Sequence, residues 1–384
     1  MSDQSQVTDA RSPVTPGGAE RLEAGTALCL SGGGYRAMLF HVGALWRLNE
    51  LGWLPRLDRV SSVSGGSITA GVLGFGWSRL VFDAGGVAGN LDEVVVAPVR
   101  ALAGWTIDVP SVIRGLLGRG TVASRAAAAY RKHLFGAATL QRLPDRPRFV
   151  INATNLQTGT LWRFSKPYMA DYQIGMIQNP DVALAVAVAA SAAFPPVLSP
   201  LRLSLRREAF AADGRGELFR PPFTEEAVLS DGGVYDNLGL ETAWKRYLTV
   251  LVSDGGGHME PAGEIPGDWV RASIRVGSVV DNQVRSLRKR QVAAAFLAGD
   301  RSGAYWGIRG NIAEVEPLPG ALPCPREQTS ALAAVATRLS RMEPVRQQRL
   351  INWGYAAADE AMRRWVVLDA PAPAGFPYPS AGVG

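Results

Sequence analysis

The chain has 384 residues, 47% of them hydrophobic and 19% charged, which excludes an intrinsically disordered protein and fits one large α/β domain as well as two smaller ones. Its formal net charge of +6 and pI of about 9.5 suit anionic surfaces such as lipid headgroups or nucleic acid, yet a global charge selects no partner. Two distant cysteines, Cys29 and Cys324, allow no disulfide framework, and three histidines without ligand spacing give no metal site, so neither a metal nor a cofactor is expected.

Residues 1–24 are expected to form a disordered polar tail, because the first twenty lack the basic stretch and apolar core of a secretory signal. A buried strand comes next at 26–30, then Gly32-Gly33-Gly34 and a helical pattern over 37–51. Residues 59–63 read as a second short strand ending at Ser64, and 67–76 as a small-residue helix. The stretch 78–135 is less regular. Within it, 94–120 interleaves Val94, Leu102, Trp105 and Leu116 with Arg100, Arg114 and Arg119, a pattern for either an interfacial lid or a buried cap.

Residues 148–154 form the next strand candidate, with 161–164 as its hairpin partner. Asp181 is the expected cap of a helix over 182–193 that Pro195-Pro196 stops; at this length it is too short to span a membrane. A strand over 247–253 precedes helix candidates at 281–299 and 329–366, and the Pro/Gly/Ala-rich chain after 371 reads as loose. The basic run Arg285 to Arg290 reads as a headgroup site or a solvated helix face; it lacks the interleaved aromatics of a nucleic-acid binder, so no nucleic acid is expected.

Strands alternating with helices predict an α/β fold with a mainly parallel central sheet and helices on both faces. The expected organisation is a catalytic domain over 25–260, a helical extension over 261–370 packed on it, and a tail over 371–384. Sites in such sheets form at the carboxyl ends of strands, where both glycine turns fall.

Ser62-Val63-Ser64-Gly65-Gly66 has the form of a strand–turn–helix elbow that exposes a hydroxyl, with Ser62 where the usual pattern has glycine. Gly32-Gly33-Gly34-Tyr35-Arg36 offers successive backbone N–H groups at a helix start, suited to an oxyanion or a phosphate. A serine nucleophile needs a base. His258 is the one histidine placed for it; His41 reads as packing and His133 as solvated. A carboxylate also serves, and Asp231-Gly232-Gly233 and Asp254-Gly255-Gly256 offer two with the same letters.

Together these blocks resemble the patatin-like phospholipase family over roughly residues 26–255. The resemblance implies a flavodoxin-like three-layer architecture and a Ser–Asp dyad, with Ser64 as nucleophile and Asp231 as base. Val234-Tyr235-Asp236-Asn237-Leu238-Gly239 matches the family's segment after the aspartate and favours Asp231 over Asp254. Gly33 and Gly34, with Gly65, would supply the oxyanion amides, and Gly32 and Arg36 complete the glycine motif. The block 190–196 matches the family's segment before the aspartate. The implied activity is lipid acyl hydrolysis, on phospholipids or lysophospholipids at a membrane surface, by a cytoplasmic protein attached to a membrane at most peripherally. The competing expectations are a carboxylesterase or neutral-lipid hydrolase, and a signal-gated or non-catalytic effector that keeps the fold. No oligomeric state is implied.

Overall fold

A computed structural model describes residues 22–108, 122–196, 198–257, 259–265 and 267–384. In chain order the elements are β1 (Glu23–Leu30), α1 (Gly34–Glu50), β2 (Arg59–Val63), α2 (Gly65–Gly76), α3 (Ala97–Ala103), α4 (Val122–Tyr130), β3 (Arg148–Asn155), β4 (Thr160–Phe164), β5 (Tyr168–Asp171), β6 (Gly175–Gln178) and α5 (Leu184–Ser191). They continue with β7 (Leu201–Ser204), β8 (Glu226–Asp231), α6 (Gly233–Asp236), α7 (Glu241–Trp244), β9 (Tyr247–Asp254), α8 (Trp269–Leu297), β10 (Ser302–Gly307), α9 (Arg326–Ala333) and α10 (Pro344–Trp365).

The strands join one sheet in the order β10-β9-β1-β2-β3-β4-β5-β6, with β8 pairing β3 and β7 pairing β8. Strands β10, β9, β1, β2 and β3 are parallel, and the remaining pairs are antiparallel. The parallel strands are covered on both faces, which is why the second half of β1 and the middle of β9 read as near-continuous apolar runs, whereas β2 is buried with Arg59, Ser61 and Ser62 in it. The period of two along β1 still divides two cores. Leu28 and Leu30 join the large cluster with α1, α2 and α10, whereas Ala27 and Cys29 pack with Leu238, Val252 and Val292 on the opposite face.

Helices α1 and α10 meet backbone to backbone. A Cβ on Gly43 would lie 1.8 Å from the Ile351 carbonyl oxygen, and one on Gly354 would lie 1.8 Å from that of Phe40. The buried pair Arg47–Asp359, 2.8 Å apart, fixes the rotation of one helix on the other.

Several boundaries differ from the sequence-based expectation. Residues 23–24 belong to β1, so the tail ends earlier, and residues 1–21 lie outside the described residues. Helix α5 starts at Leu184 without a side-chain cap, so Asp181 does not cap it. The region after 260 is not purely helical, because β10 pairs with β9 and extends the central sheet rather than forming part of an appended unit. The helical stretch 329–366 is two helices, α9 and α10, separated by a segment that crosses the first glycine turn. The expected loose tail after 371 is docked. Asn352 donates to the Tyr378 and Gly382 carbonyls and accepts from the Tyr378 amide, and the Arg100 guanidinium stacks over the Tyr378 ring.

No helix among the described residues is long and apolar enough to cross a membrane.

Candidate active site

Ser64 comes directly after β2 and caps α2 at φ 50°, ψ −120°. A non-glycine residue at positive φ is held there only when its surroundings over-determine it. They do so here. Gly65 cannot carry a side chain, because a Cβ would lie 2.2 Å from the Gly34 carbonyl oxygen, and one on Gly66 would lie 2.4 Å from that of Leu30. The Ser64 amide donates to Ser191 Oγ at 3.0 Å, and Ser191 Oγ in turn donates to the Asn152 carbonyl at 2.6 Å. Ser62, which replaces the usual glycine of the elbow, is accommodated by a hydrogen bond with Ser67 Oγ at 3.0 Å; Ser67 Oγ is also 2.9 Å from Ser191 Oγ.

The same end of α5 holds Asp231. The Asp231 amide donates to the Ala193 carbonyl at 2.9 Å, the Gly232 amide to the Ser191 carbonyl at 3.2 Å, and Thr154 Oγ1 to the Asp231 carbonyl at 2.8 Å. Asp231 is buried, and its Oδ1 accepts from the Gly233 amide at 2.7 Å. Its Oδ2 is buried with no hydrogen-bond partner among the described residues. Burial raises the Asp231 pKa to about 7; the Gly233 amide and the Ser64 hydroxyl pull it down, and the negative charge of Asp281 on α8 pushes it up. The hydroxyl is thus near enough to influence the carboxylate without a formed hydrogen bond to Oδ2.

The first glycine turn lies against the elbow. Gly33 has φ 140° and Gly34 φ 60°. The Gly32 amide donates to the Asn237 carbonyl and the Tyr35 amide to the Arg338 carbonyl, both at 3.0 Å. The amides of Gly33, Gly34 and Gly65 have no such acceptor among the described residues. Gly32, which completes the glycine motif, has its amide already engaged, and a Cβ there would lie 2.3 Å from Asn237 Oδ1. Arg36 is likewise engaged by the protein itself. Its Nε donates to the Gly255 carbonyl at 3.2 Å and its Nη1 to the Val335 carbonyl, and burial, with Arg285 nearby, lowers its pKa to about 10.

The two described histidines do not enter this arrangement. His41 is buried, with Nδ1 2.8 Å from Ser253 Oγ and Nε2 2.9 Å from the Ser31 carbonyl; burial lowers its pKa to about 4, so it is neutral and packs. His133 is half-buried against the Trp105 ring rather than solvated. His258 lies outside the described residues.

Asp254 repeats the letters of Asp231 at the end of β9 but is fully engaged. Its Oδ1 accepts from the Gly256 amide at 2.9 Å and faces Arg285 Nη2 at 3.4 Å; its Oδ2 faces Lys289 Nζ at 2.7 Å and accepts from the Tyr305 hydroxyl at 2.8 Å. Burial alone would raise its pKa, but Lys289, Arg285 and the Tyr305 hydroxyl outweigh burial and hold it well below the usual carboxylate range.

Burial and pairing bear on the alternatives left open for two stretches. Val94, Val95, Val96, Val99, Leu102 and Ile107 are core residues, so the described part of 94–120 is no interfacial helix; residues 109–121 lie outside the described residues. In the basic run, Arg285 and Lys289 face Asp254 and Arg288 faces Glu241 at 2.7 Å, while Arg290 stays exposed.

No cluster of His, Cys, Asp or Glu among the described residues has the arrangement of a metal site. The fold and site define an α/β protein with a strained serine turn, an adjoining amide cradle and a buried aspartate at strand carboxyl ends. The sequence profile of the family described as "Patatin-like phospholipase" matches residues 28–244, and the chain belongs to that family. The search of curated proteins gave no match. Among solved structures, human GIVD cytosolic phospholipase A2 is similar at 13% identity and a TM-score of 0.48, covering 87% of this chain and 58% of that one. VipD from Legionella pneumophila is similar at 16% identity and a TM-score of 0.34, covering 89% of this chain and 67% of that one. The chain thus spans little more than half the length of the human enzyme.

Proposed function

We propose that the protein hydrolyses fatty-acyl esters of phospholipids or lysophospholipids with Ser64 as nucleophile and Asp231 as base. The carrying observation is the pairing of a serine forced to positive φ with a buried aspartate whose Oδ2 is unpartnered and whose pKa is raised to about 7. A base is most effective when its pKa lies near the working pH.

In this reading Asp231 Oδ2 accepts the Ser64 proton as Oγ attacks the ester carbonyl. The amides of Gly33, Gly34 and Gly65 donate to the oxyanion that forms, at the positive end of two helices. The proton then passes from Asp231 to the departing alcohol or lysolipid. Water attacks the acyl-enzyme, with Asp231 again taking the proton, and Ser64 is regenerated. Ser191 and Arg36 act as positioning residues, one on the Ser64 amide and the other on the loops behind the glycine turn.

Ser64 is only 8% exposed. That supports a gated enzyme, in which the path to Ser64 opens at the substrate surface. The test is fatty-acid release from mixed phospholipid vesicles by the wild type and by Ser64→Ala. Release by the wild type alone supports the reading; equal release by both overturns it.

A further inference from the structure

Helix α8 is amphipathic in the reverse sense for a helix laid on a protein core. Its inward face carries charge: Arg285 and Lys289 reach Asp254, and Arg288 reaches Glu241. Its outward face carries apolar side chains. Trp269, Val276, Val280 and Leu287 are spaced by 7, 4 and 7 residues, which at about 3.6 residues per turn places them on one stripe. They are 79%, 62%, 57% and 51% exposed. An aligned stripe of this kind marks an interaction surface far better than single exposed apolar residues do.

Charge decides what kind of surface meets it. Over residues 269–297 the sequence has six basic side chains, Arg271, Arg275, Arg285, Arg288, Lys289 and Arg290, against one acidic, Asp281. Asp281 faces the interior, near enough to Asp231 to raise its pKa. The exposed Arg290 therefore borders an apolar stripe that contains no carboxylate, while Arg271 lies across the helix and pairs with Asp268 at 2.5 Å. A second copy of the chain would bring another cationic helix against this one, whereas an anionic bilayer brings complementary charge and an apolar interior. The helix also packs on α6, the turn immediately after Asp231, so the element that carries the stripe is attached to the candidate site.

We propose that the outward face of α8 docks the protein on an anionic phospholipid bilayer, with Trp269, Val276, Val280 and Leu287 entering the boundary between headgroups and acyl chains. The choice of a lipid surface rests on the acyl-hydrolase reading above.

The test uses the full chain carrying Ser64→Ala, so that binding is read without turnover. It is sedimented with phosphatidylcholine vesicles, with and without phosphatidylglycerol. Pelleting with the phosphatidylglycerol vesicles is expected, weakened at least about tenfold by Val276→Asp with Val280→Asp. These positions face solvent, so the melting temperature should hold; Trp269→Ser is the second variant if it does not. Equal pelleting with and without the substitutions overturns the proposal, as does no pelleting of the parent. A dimer in light scattering that the same substitutions dissolve overturns it in favour of a second copy. Parent pelleting that the substitutions abolish, with no fatty-acid release by the wild type, upholds docking while the hydrolase reading fails.

Discussion

Asp231 and Asp254 end neighbouring parts of one sheet, each with two glycines directly after it, and each is buried. Their environments are opposite. Asp254 meets two cations, a tyrosine hydroxyl and an amide, and is held ionised. Asp231 meets one amide and the edge of a serine hydroxyl, keeps one oxygen unpartnered, and has its pKa raised to about 7. An identical local motif thus yields a fully engaged anion in one place and a carboxyl group with one unpartnered oxygen in the other. The difference lies in what faces the carboxylate, and so in chain segments far away in sequence.

The contrast is expected to show most in turnover. Ser64→Ala and Asp231→Asn are each expected to lower kcat by at least about 1,000-fold with the fold retained, read as fatty-acid release per mole of folded protein. Asp254→Asn should act on stability instead, because it strands Arg285 and part of the charge of Lys289. A loss of about 3 kcal/mol is expected in denaturant unfolding, with far less effect on turnover by the folded fraction.

The pH dependence of stability should differ in sign between the two. Asp254 has a depressed pKa, so its contribution is present above the unfolded value of 3.8 and is lost as pH falls through the folded one. Asp231 has a raised pKa, so its ionisation opposes folding, with a penalty that grows from pH 3.8 to about 7 and is complete above that. Asp231→Asn should therefore stabilise the protein at pH 8, by on the order of 2 kcal/mol, and lose that advantage at pH 4, measured as melting temperature across pH.

The smallest effect is on the rate profile. kcat/KM should rise with pH along an acid limb centred near the Asp231 pKa of about 7. Burial sets most of that position, Ser64 and the Gly233 amide oppose it, and Asp281 adds to it; the buried Tyr130 hydroxyl also faces the group. Asp281→Asn should move the limb to lower pH by less than about one unit.

Much of this site is legible in the sequence because glycine is informative where chains touch. Gly32, Gly65, Gly66 and Gly232 stand where a Cβ would lie under 3 Å from a neighbouring atom, so the turns announce themselves. The apolar runs of β1 and β9 are equally plain. The clamp by Ser191 and Asn152 is not, since a hydrogen bond between residues 64 and 191 leaves no period and no spacing; only the block resemblance at 190–196 points there. Strand β10, Ser-Gly-Ala-Tyr-Trp-Gly, is short and mixed in polarity, and its pairing with β9 is a tertiary fact. The basic run misleads because starting the helix at 281 hides its phase; from Trp269 onward its outward stripe is apolar and three of the run's cations turn inward.

The most direct measurement is fatty-acid release from mixed phospholipid vesicles by wild type, Ser64→Ala, Asp231→Asn and Asp254→Asn, each scaled to its folded fraction. Release is expected from the wild type and from Asp254→Asn, and none above background from the other two. Full release by Asp231→Asn, or loss of release in folded Asp254→Asn, would contradict the assignment of Asp231 as the base.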